Sequence, residues 1–131
     1  MTTRTPLVLH RPGTYRRGAV IVTGTILIGA SGAVTSFVCE AVDSSSGIVK
    51  TAAKTGRYTV TLLRKYRNPR VTNLSLIGPT DAALTSTDGW FLSVRNLTGQ
   101  TFDIQASQVS LADANPTIGN SIHFSVEVQV L

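Results

Sequence analysis

Apolar and polar residues alternate with a period of two along much of the chain, and most regularly in residues 124–131. In an extended strand, every second side chain points to the same face. The apolar residues from Phe124 to Val130 would therefore share one face, and the polar residues between them the other. Because the same period recurs upstream with almost no helical spacing, the pattern predicts an all-β protein.

Turn-forming residues divide the alternating segments into about eight strands. The predicted strands cover residues 18–28, 33–42, 48–52, 57–66, 71–77, 90–96, 101–107 and 121–131. We expect them to be antiparallel and to form a jelly-roll-like sandwich or a small barrel. The first segment is apolar at both sets of alternate positions, which predicts a central strand covered on both sides, with Gly24 at a bend or bulge.

Residues 1–17 have a different composition from the rest of the chain. They contain Pro6, Pro12 and four arginines, carry no acid, and show no sustained period. We expect an extended, basic N-terminal arm there. Residues 18–131 are then a single β-sandwich domain, because a chain of 131 residues is large enough to bury one hydrophobic core.

The net charge of +5 is concentrated in the arm and in residues 64–70. Basic segments bind nucleic acid or acidic protein surfaces. Only two aromatic rings, Tyr15 and Tyr66, are near these charges, so there are few side chains on which bases could stack. An acidic protein surface is therefore a more favoured partner than nucleic acid. A solvated run of charge is the alternative. The candidate binding residues are Arg4, Arg11, Tyr15, Arg16, Arg17, Arg64, Lys65, Arg67 and Arg70.

Four apolar residues are candidates for contacts between copies of the chain. Adjacent rings on a strand point to opposite faces, so one of Trp90 and Phe91 would lie in the core and the other at a subunit or ligand surface. Leu63 and Leu131 fall on the exposed face of their strands, although burial in the core is an equal alternative for them.

No arrangement of residues in the sequence indicates catalysis or metal binding. His10 and His123 have no Cys, His or Asp partner at metal-ligand spacing. A triad of His123, Asp113 and a serine can be written only because serines are abundant. Most acids lie in turns, where their capping role accounts for them. We therefore expect no enzyme activity, no cofactor and no metal.

The sequence also bears on where the chain is made. Residues 1–10 lack the apolar stretch of a secretion signal, and no segment is long enough to span a membrane. The single cysteine, Cys39, has no partner for an internal disulfide. These features favour assembly in a reducing cytoplasm, with Cys39 acting as a small buried hydrophobe.

The order of strands and loops resembles that of small all-β virion proteins of tailed bacteriophages. The resemblance covers residues 18–131. It is carried by turn and strand residues at 56–62, 77–83, 94–96, 112–116 and 122–124. It implies a head decoration or cement protein, made in the host cytoplasm and placed on the capsid exterior. Such a protein is typically a homotrimer that clamps neighbouring subunits of the major capsid protein.

Three functions remain open at this stage. The first is a non-enzymatic protein that cements a bacteriophage capsid. The second is a tail or head-fibre component with a knob that binds a receptor or glycan. The third is an enzyme or carbohydrate-binding module with Trp90 or Glu40 in a groove. The first is favoured, because bridging needs binding surface rather than a reactive centre.

Overall fold

The protein consists of β-strands, as the sequence predicts. The computed structural model describes residues 19–78, 89–108 and 112–129, and the predicted arm at residues 1–17 lies outside them. The strands are β1 Ala19–Ile28, β2 Val34–Cys39, β3 Ile48–Lys50, β4 Arg57–Thr61, β5 Arg67–Ile77, β6 Trp90–Arg95, β7 Thr101–Gln108 and β8 Ser121–Gln129. In this part of the chain the only helical element is a 3-10 turn, Ala30–Gly32.

The strands form two four-stranded sheets. Sheet 1 has the order β2-β1-β8-β5, and sheet 2 has the order β3-β4-β7-β6. Every neighbouring pair is antiparallel. The pairs β1–β2, β3–β4 and β6–β7 are consecutive in the chain, and the remaining connections cross between the sheets. The sandwich prediction is therefore confirmed, with the first and last strands side by side in sheet 1.

The core lies between the sheets and consists of alternate residues from each strand, as a period of two requires. Its largest fully buried side chains are Tyr58, Phe102 and Phe124. The rings of Phe102 and Phe124 meet edge to face, with centroids 5.8 Å apart, a favourable arrangement of aromatic quadrupoles. The Tyr58 hydroxyl donates a hydrogen bond of 2.7 Å to the carbonyl of Gly32, so its polar end is satisfied inside the core.

β1 is central in its sheet, as predicted, but only one of its faces is covered within the described residues. Ile26 and Ile28 point inward and are fully buried, whereas Ile21 and Leu27 point outward and are exposed. The outward apolar residues of β1 are therefore not covered by another layer of the described chain. The prediction of coverage on both sides was wrong for this part of the protein.

Gly24 marks a close contact between side chain and backbone. It lies directly opposite Phe124 of β8, and the pairing on that side runs without a shift from Ala19 to Leu27. A Cβ atom at Gly24 would lie 2.2 Å from Cζ of Phe124. The Phe124 ring therefore occupies the space that a side chain at position 24 would need. The predicted bend or bulge is not at this position; the irregularity in β1 falls between Leu27 and Ile28.

The chain between β4 and β5 also differs from the sequence prediction. β4 ends at Thr61 rather than at residue 66, and β5 begins at Arg67 rather than at residue 71. The predicted turn at Asn68 lies inside β5, where the register against β8 shifts between Arg67 and Arg70. Asn68 has a φ of +48°, a conformation that asparagine tolerates better than most residues. The residues around Asn68, which predicted a turn, thus form a bulge within β5.

The end of the sandwich that contains the 3-10 turn is closed by backbone contacts. Gly56 has a φ of +68°, and a Cβ there would lie 2.1 Å from the carbonyl oxygen of Ala114. Only glycine fits that combination of conformation and space. The Gly56 N–H donates to Oδ1 of Asn115 at 2.7 Å. The loop around residue 115 is therefore fixed to the start of β4.

Candidate interaction surface

Part of β1 has a free edge, although β1 is an inner strand of its sheet. β8 pairs with β1 from Ala19 to Leu27, but β2 pairs with it only from Gly24 onward. Among the described strands, residues 19–23 therefore have a neighbour on one side only. Unpaired N–H and C=O groups on such an edge are a ready site for another strand.

Aliphatic side chains surround this edge and leave a groove of about 450 Å³. We call it the β1-edge groove. Its most exposed apolar side chains are Val38, which is 75% exposed, and Ile21 and Leu63, which are each 61% exposed. Exposed apolar residues that lie together mark interaction sites far more often than single ones do. The lining residues are Val20, Ile21, Val22, Thr23, Gly24, Thr25, Val38, Cys39, Glu40, Ala41, Leu63 and Tyr66.

Backbone hydrogen bonds hold Leu63 at the rim of the groove. The Leu63 N–H donates to the carbonyl of Ala41, and the Tyr66 N–H donates to the carbonyl of Gly99, each at 2.8 Å. Leu62 is buried in the core, and its neighbour Leu63 is consequently turned outward. The exposure of Leu63 is thus built into a fixed segment of backbone.

The predicted basic cluster lies beside this groove, and its members have different surroundings. Arg64 places its guanidinium carbon 5.3 Å from the centre of the Tyr66 ring, a cation–π contact. Arg70 forms a 2.8 Å salt bridge to Glu127, whose side chain is only 9% exposed. Lys65 and Arg67 are exposed. The charge available to a partner is therefore greatest at Arg64, Lys65 and Arg67.

The other predicted contact residues do not line the groove. Phe91 is 40% exposed on β6, an edge strand of the other sheet, and Trp90 next to it is half-buried. Neither belongs to the β1-edge groove. The remaining candidates, Arg4, Arg11, Tyr15, Arg16, Arg17 and Leu131, lie outside the described residues.

The outer face of sheet 2 carries a polar network that the sequence analysis missed. Asp103, Gln105 and Ser107 of β7 point away from the core and are nevertheless buried. Oδ1 of Asp103 accepts a hydrogen bond from Thr59, and Oδ2 accepts one from Asn96, each at 2.8 Å. Both oxygens of the Asp103 carboxylate therefore accept hydrogen bonds within this polar network.

Gln105 and Ser107 are engaged in the same way. Oε1 of Gln105 accepts a 2.8 Å hydrogen bond from Nε of Arg57, and its amide donates to the carbonyls of Thr55 and Ala106. The Ser107 hydroxyl donates to Asp113 at 3.2 Å. Alternation predicts that these residues face outward, but no local pattern shows that their neighbours cover them.

A second groove, of about 530 Å³, lies between the edge strands β2 and β3. Half of its lining residues are apolar, and three serines, one threonine and a lysine supply the rest. The charged group in it is Lys50, whose ammonium donates a 2.8 Å hydrogen bond to the carbonyl of Lys54.

Two groups, a thiol beside the β1-edge groove and a phenol in the core, have a raised pKa. Burial raises the pKa of the Cys39 thiol, and a backbone hydrogen bond at Ala41 opposes the rise only in part. A raised pKa makes a thiol less nucleophilic at neutral pH. Burial also raises the pKa of Tyr58 well above its usual range. No group of three or more potential metal ligands occurs in residues 19–78, 89–108 and 112–129.

In the described segments, no helix has the length and apolar content needed to cross a membrane. Comparisons of the chain with protein-family models, curated proteins and solved structures find no match.

Proposed function

We propose that this chain is a non-enzymatic structural protein of a bacteriophage virion, which decorates the capsid and bridges neighbouring subunits of the major capsid protein. The observation that carries the proposal is the β1-edge groove, where an unpaired strand edge and exposed aliphatic side chains occur together. Such a surface supports binding of another protein chain by backbone pairing and apolar burial.

The basic residues beside the groove supply the second element of the proposal. Arg64, Lys65 and Arg67 flank the rim at Leu63 and face acidic capsid surface. Exposed charges of this kind speed association and orient the partner, and salt screens them. The arm residues Arg4, Arg11, Arg16 and Arg17 add to the same attraction, and the protein acts as a homotrimer.

Copy number tests the location of the protein. In purified particles, quantitative gel densitometry should give hundreds of copies of the chain per particle. A dozen copies or fewer would place the protein in the tail or a fibre. Absence of the chain from purified particles would contradict both structural roles.

Charge reversal tests the contribution of the basic rim. Arg64→Glu together with Lys65→Glu should weaken attachment to undecorated capsids by at least tenfold, which is ~1.4 kcal/mol. The matched control is Lys50→Glu with Lys54→Glu, which makes the same change in charge away from the β1-edge groove and should leave attachment unchanged. Equal effects of the two pairs would show that only net charge matters.

A further inference from the structure

The core-facing side of β1 is less covered along its free edge than elsewhere in the strand. Val20 lies directly opposite Val128 of β8, which is buried in the core, and directly opposed residues in a sheet share a face. Val20 is nevertheless 49% exposed, whereas Ile26 on the same face is fully buried. β2 pairs with Ile26 but not with Val20. A strand added along Ala19–Thr23 would therefore bring apolar side chains that extend the core at this point.

One end of the β1-edge groove is closed and acidic. Cys39 is the last residue of β2 and pairs with Gly24, so Glu40 comes directly after the point where β2 leaves β1. Glu40 is the one charged side chain among the described residues that line the groove. An added strand cannot continue past Thr23, because β2 occupies the edge from Gly24 onward. The segment that binds must therefore begin beside an acid.

The other end of the groove is basic. Ala19 pairs with Gln129, and Gln129 pairs with Arg67, so these three residues form one row across the sheet. Tyr66 precedes Arg67, lines the groove, and has the Arg64 guanidinium over its ring. The two ends of the free edge are roughly 13 Å apart in an extended strand, which is more than the screening length of ~8 Å at physiological salt. A bound segment therefore meets an acid at one end and bases at the other.

These charges favour one sequence direction in the bound segment. Every neighbouring pair of the described strands is antiparallel, and parallel pairing is slightly less stable per residue. An antiparallel segment runs from the Thr23 end of the free edge to the Ala19 end. Its carboxyl-terminal side then lies near Arg64 and Arg67, where acidic side chains are favoured, and its amino-terminal side lies near Glu40, where they are repelled.

We propose that the β1-edge groove binds an extended segment of another protein that has aliphatic side chains at alternate positions, followed directly by acidic residues, and that lies antiparallel to residues 19–23. The second and fourth side chains of its five-residue core lie opposite Val22 and Val20 and face Leu63. This inference rests on the proposed function, and it adds the chemistry and the direction of the segment that the capsid protein supplies.

Titration of the isotope-labelled full chain with synthetic peptides, followed by NMR, tests the direction. The probe is the acetylated and amidated peptide TVTVTDD. The matched control is DDTVTVT, which has the same composition in the opposite order. TVTVTDD should bind at least tenfold more tightly than DDTVTVT, and it should shift the backbone amide resonances of residues 19–23.

Backbone methylation of the probe tests whether it binds as a strand. In an antiparallel pair, the N–H groups of alternate residues point toward the neighbouring strand. One version of TVTVTDD is N-methylated at both valines, and the other at the second and third threonines. One version should lose at least tenfold in affinity, and the other should bind nearly as well as the unmodified peptide.

Charge exchange tests the basic end. In the variant Arg64→Glu with Lys65→Glu, TVTVTKK should bind more tightly than TVTVTDD, which inverts the preference of the wild type. Lys50→Glu with Lys54→Glu makes the same change in charge away from the groove and should keep the wild-type preference.

A pair of valines tests the apolar contact. Val20→Lys should weaken binding of TVTVTDD at least tenfold, because it places a charge beside the inward-facing side chains of the peptide. Val49→Lys is the control, since Val49 lies on β3 of the other sheet and is 46% exposed, and it should leave binding unchanged.

Several outcomes would overturn the inference: equal affinity for the two peptide orders, equal effects of the two methylation patterns, shifts confined to residues outside 19–23, or no binding of either peptide. If the peptides fail while the chain is present in hundreds of copies per particle, the capsid role stands and the strand assignment is wrong. If TVTVTDD binds as expected but the chain is absent from purified particles, the strand site stands and the virion role does not.

Discussion

Adding one methyl group at Gly24 should destabilise the protein strongly, because the space above this glycine is occupied. The new Cβ of Gly24→Ala would lie 2.2 Å from Cζ and 2.6 Å from Cε1 of Phe124, whereas carbon atoms normally approach to ~3.5 Å. The ring would have to retreat by more than 1 Å. It is fully buried, and the edge-to-face contact with Phe102 limits its movement.

The size of the effect follows from two opposing terms. Overpacking a well-packed core costs about 1–3 kcal/mol, and this clash with a confined ring belongs at the upper end. Replacing glycine by alanine recovers ~0.4–1 kcal/mol by restricting the unfolded chain. We therefore expect Gly24→Ala to lower the free energy of unfolding by about 2 kcal/mol, and to lower Tm by roughly 8 °C for a domain of this size.

Urea unfolding with a double-mutant cycle measures the contact itself. Phe124→Leu alone should cost about 1–2 kcal/mol, and Gly24→Ala should then be nearly neutral in the Phe124→Leu background, giving a coupling of about 1.5 kcal/mol or more. Gly99→Ala is the control, since the nearest atom to its Cβ is the Tyr66 carbonyl oxygen at 3.1 Å. Additive effects of the two substitutions, or a loss at Gly24 no larger than that at Gly99, would refute the reasoning.

Three further predictions follow from the same structure. Gly56→Ala should lower the free energy of unfolding by at least about 3 kcal/mol, which is more than Gly24→Ala, because it combines a positive φ with a clash against the backbone oxygen of Ala114. Urea unfolding of the two variants measures the difference. Asn115→Ala should cost about 1–2 kcal/mol in thermal unfolding, because it removes the acceptor of the Gly56 N–H, and a loss below ~0.3 kcal/mol would show that another group replaces it. Hydrogen bonds from Ser45 and then Ser46 lower the pKa of Asp43 in the folded protein. The Asp43 carboxylate therefore contributes fully to stability above its unfolded pKa of ~3.9, and this contribution is lost as the pH falls through the lower folded pKa. The difference in urea stability between wild type and Asp43→Ala should accordingly shrink below pH ~4, and a difference that stays constant down to acid unfolding would contradict the assignment.

The sequence predicted the fold class because alternation is a local property. In β8, each apolar residue from Ile122 to Val128 is buried, and this burial follows directly from a period of two. The end of β4 and the start of β5 were harder to predict from the sequence. Whether Asn68 begins a turn or lies in a bulge depends on pairing with β8, which is distant in sequence.

The candidate surface could be predicted only in part. Leu63 was placed on an exposed face from its position in the pattern, and it is exposed at the rim of the β1-edge groove. The groove itself exists because β2 ends at Cys39 while β1 continues to Ala19, and the relative lengths of two paired strands are set by tertiary packing. The buried polar face at Asp103, Gln105 and Ser107 was missed for the same reason. Burial of a polar face by neighbouring side chains produces no periodic pattern in the strand's own sequence.

The pairing of β1 with β8 has a consequence for engineering the molecule. Ala19 lies directly opposite Gln129, so the two ends of the described sandwich leave it at one corner, an arrangement that suits circular permutation. A short linker from residue 129 to residue 19, with new termini in the loop between β2 and β3, would give a permuted chain free of the arm. Because Glu40 and Ala41 of that loop line the β1-edge groove, cargo fused at the new termini would lie beside the groove and would compete with any partner that binds there.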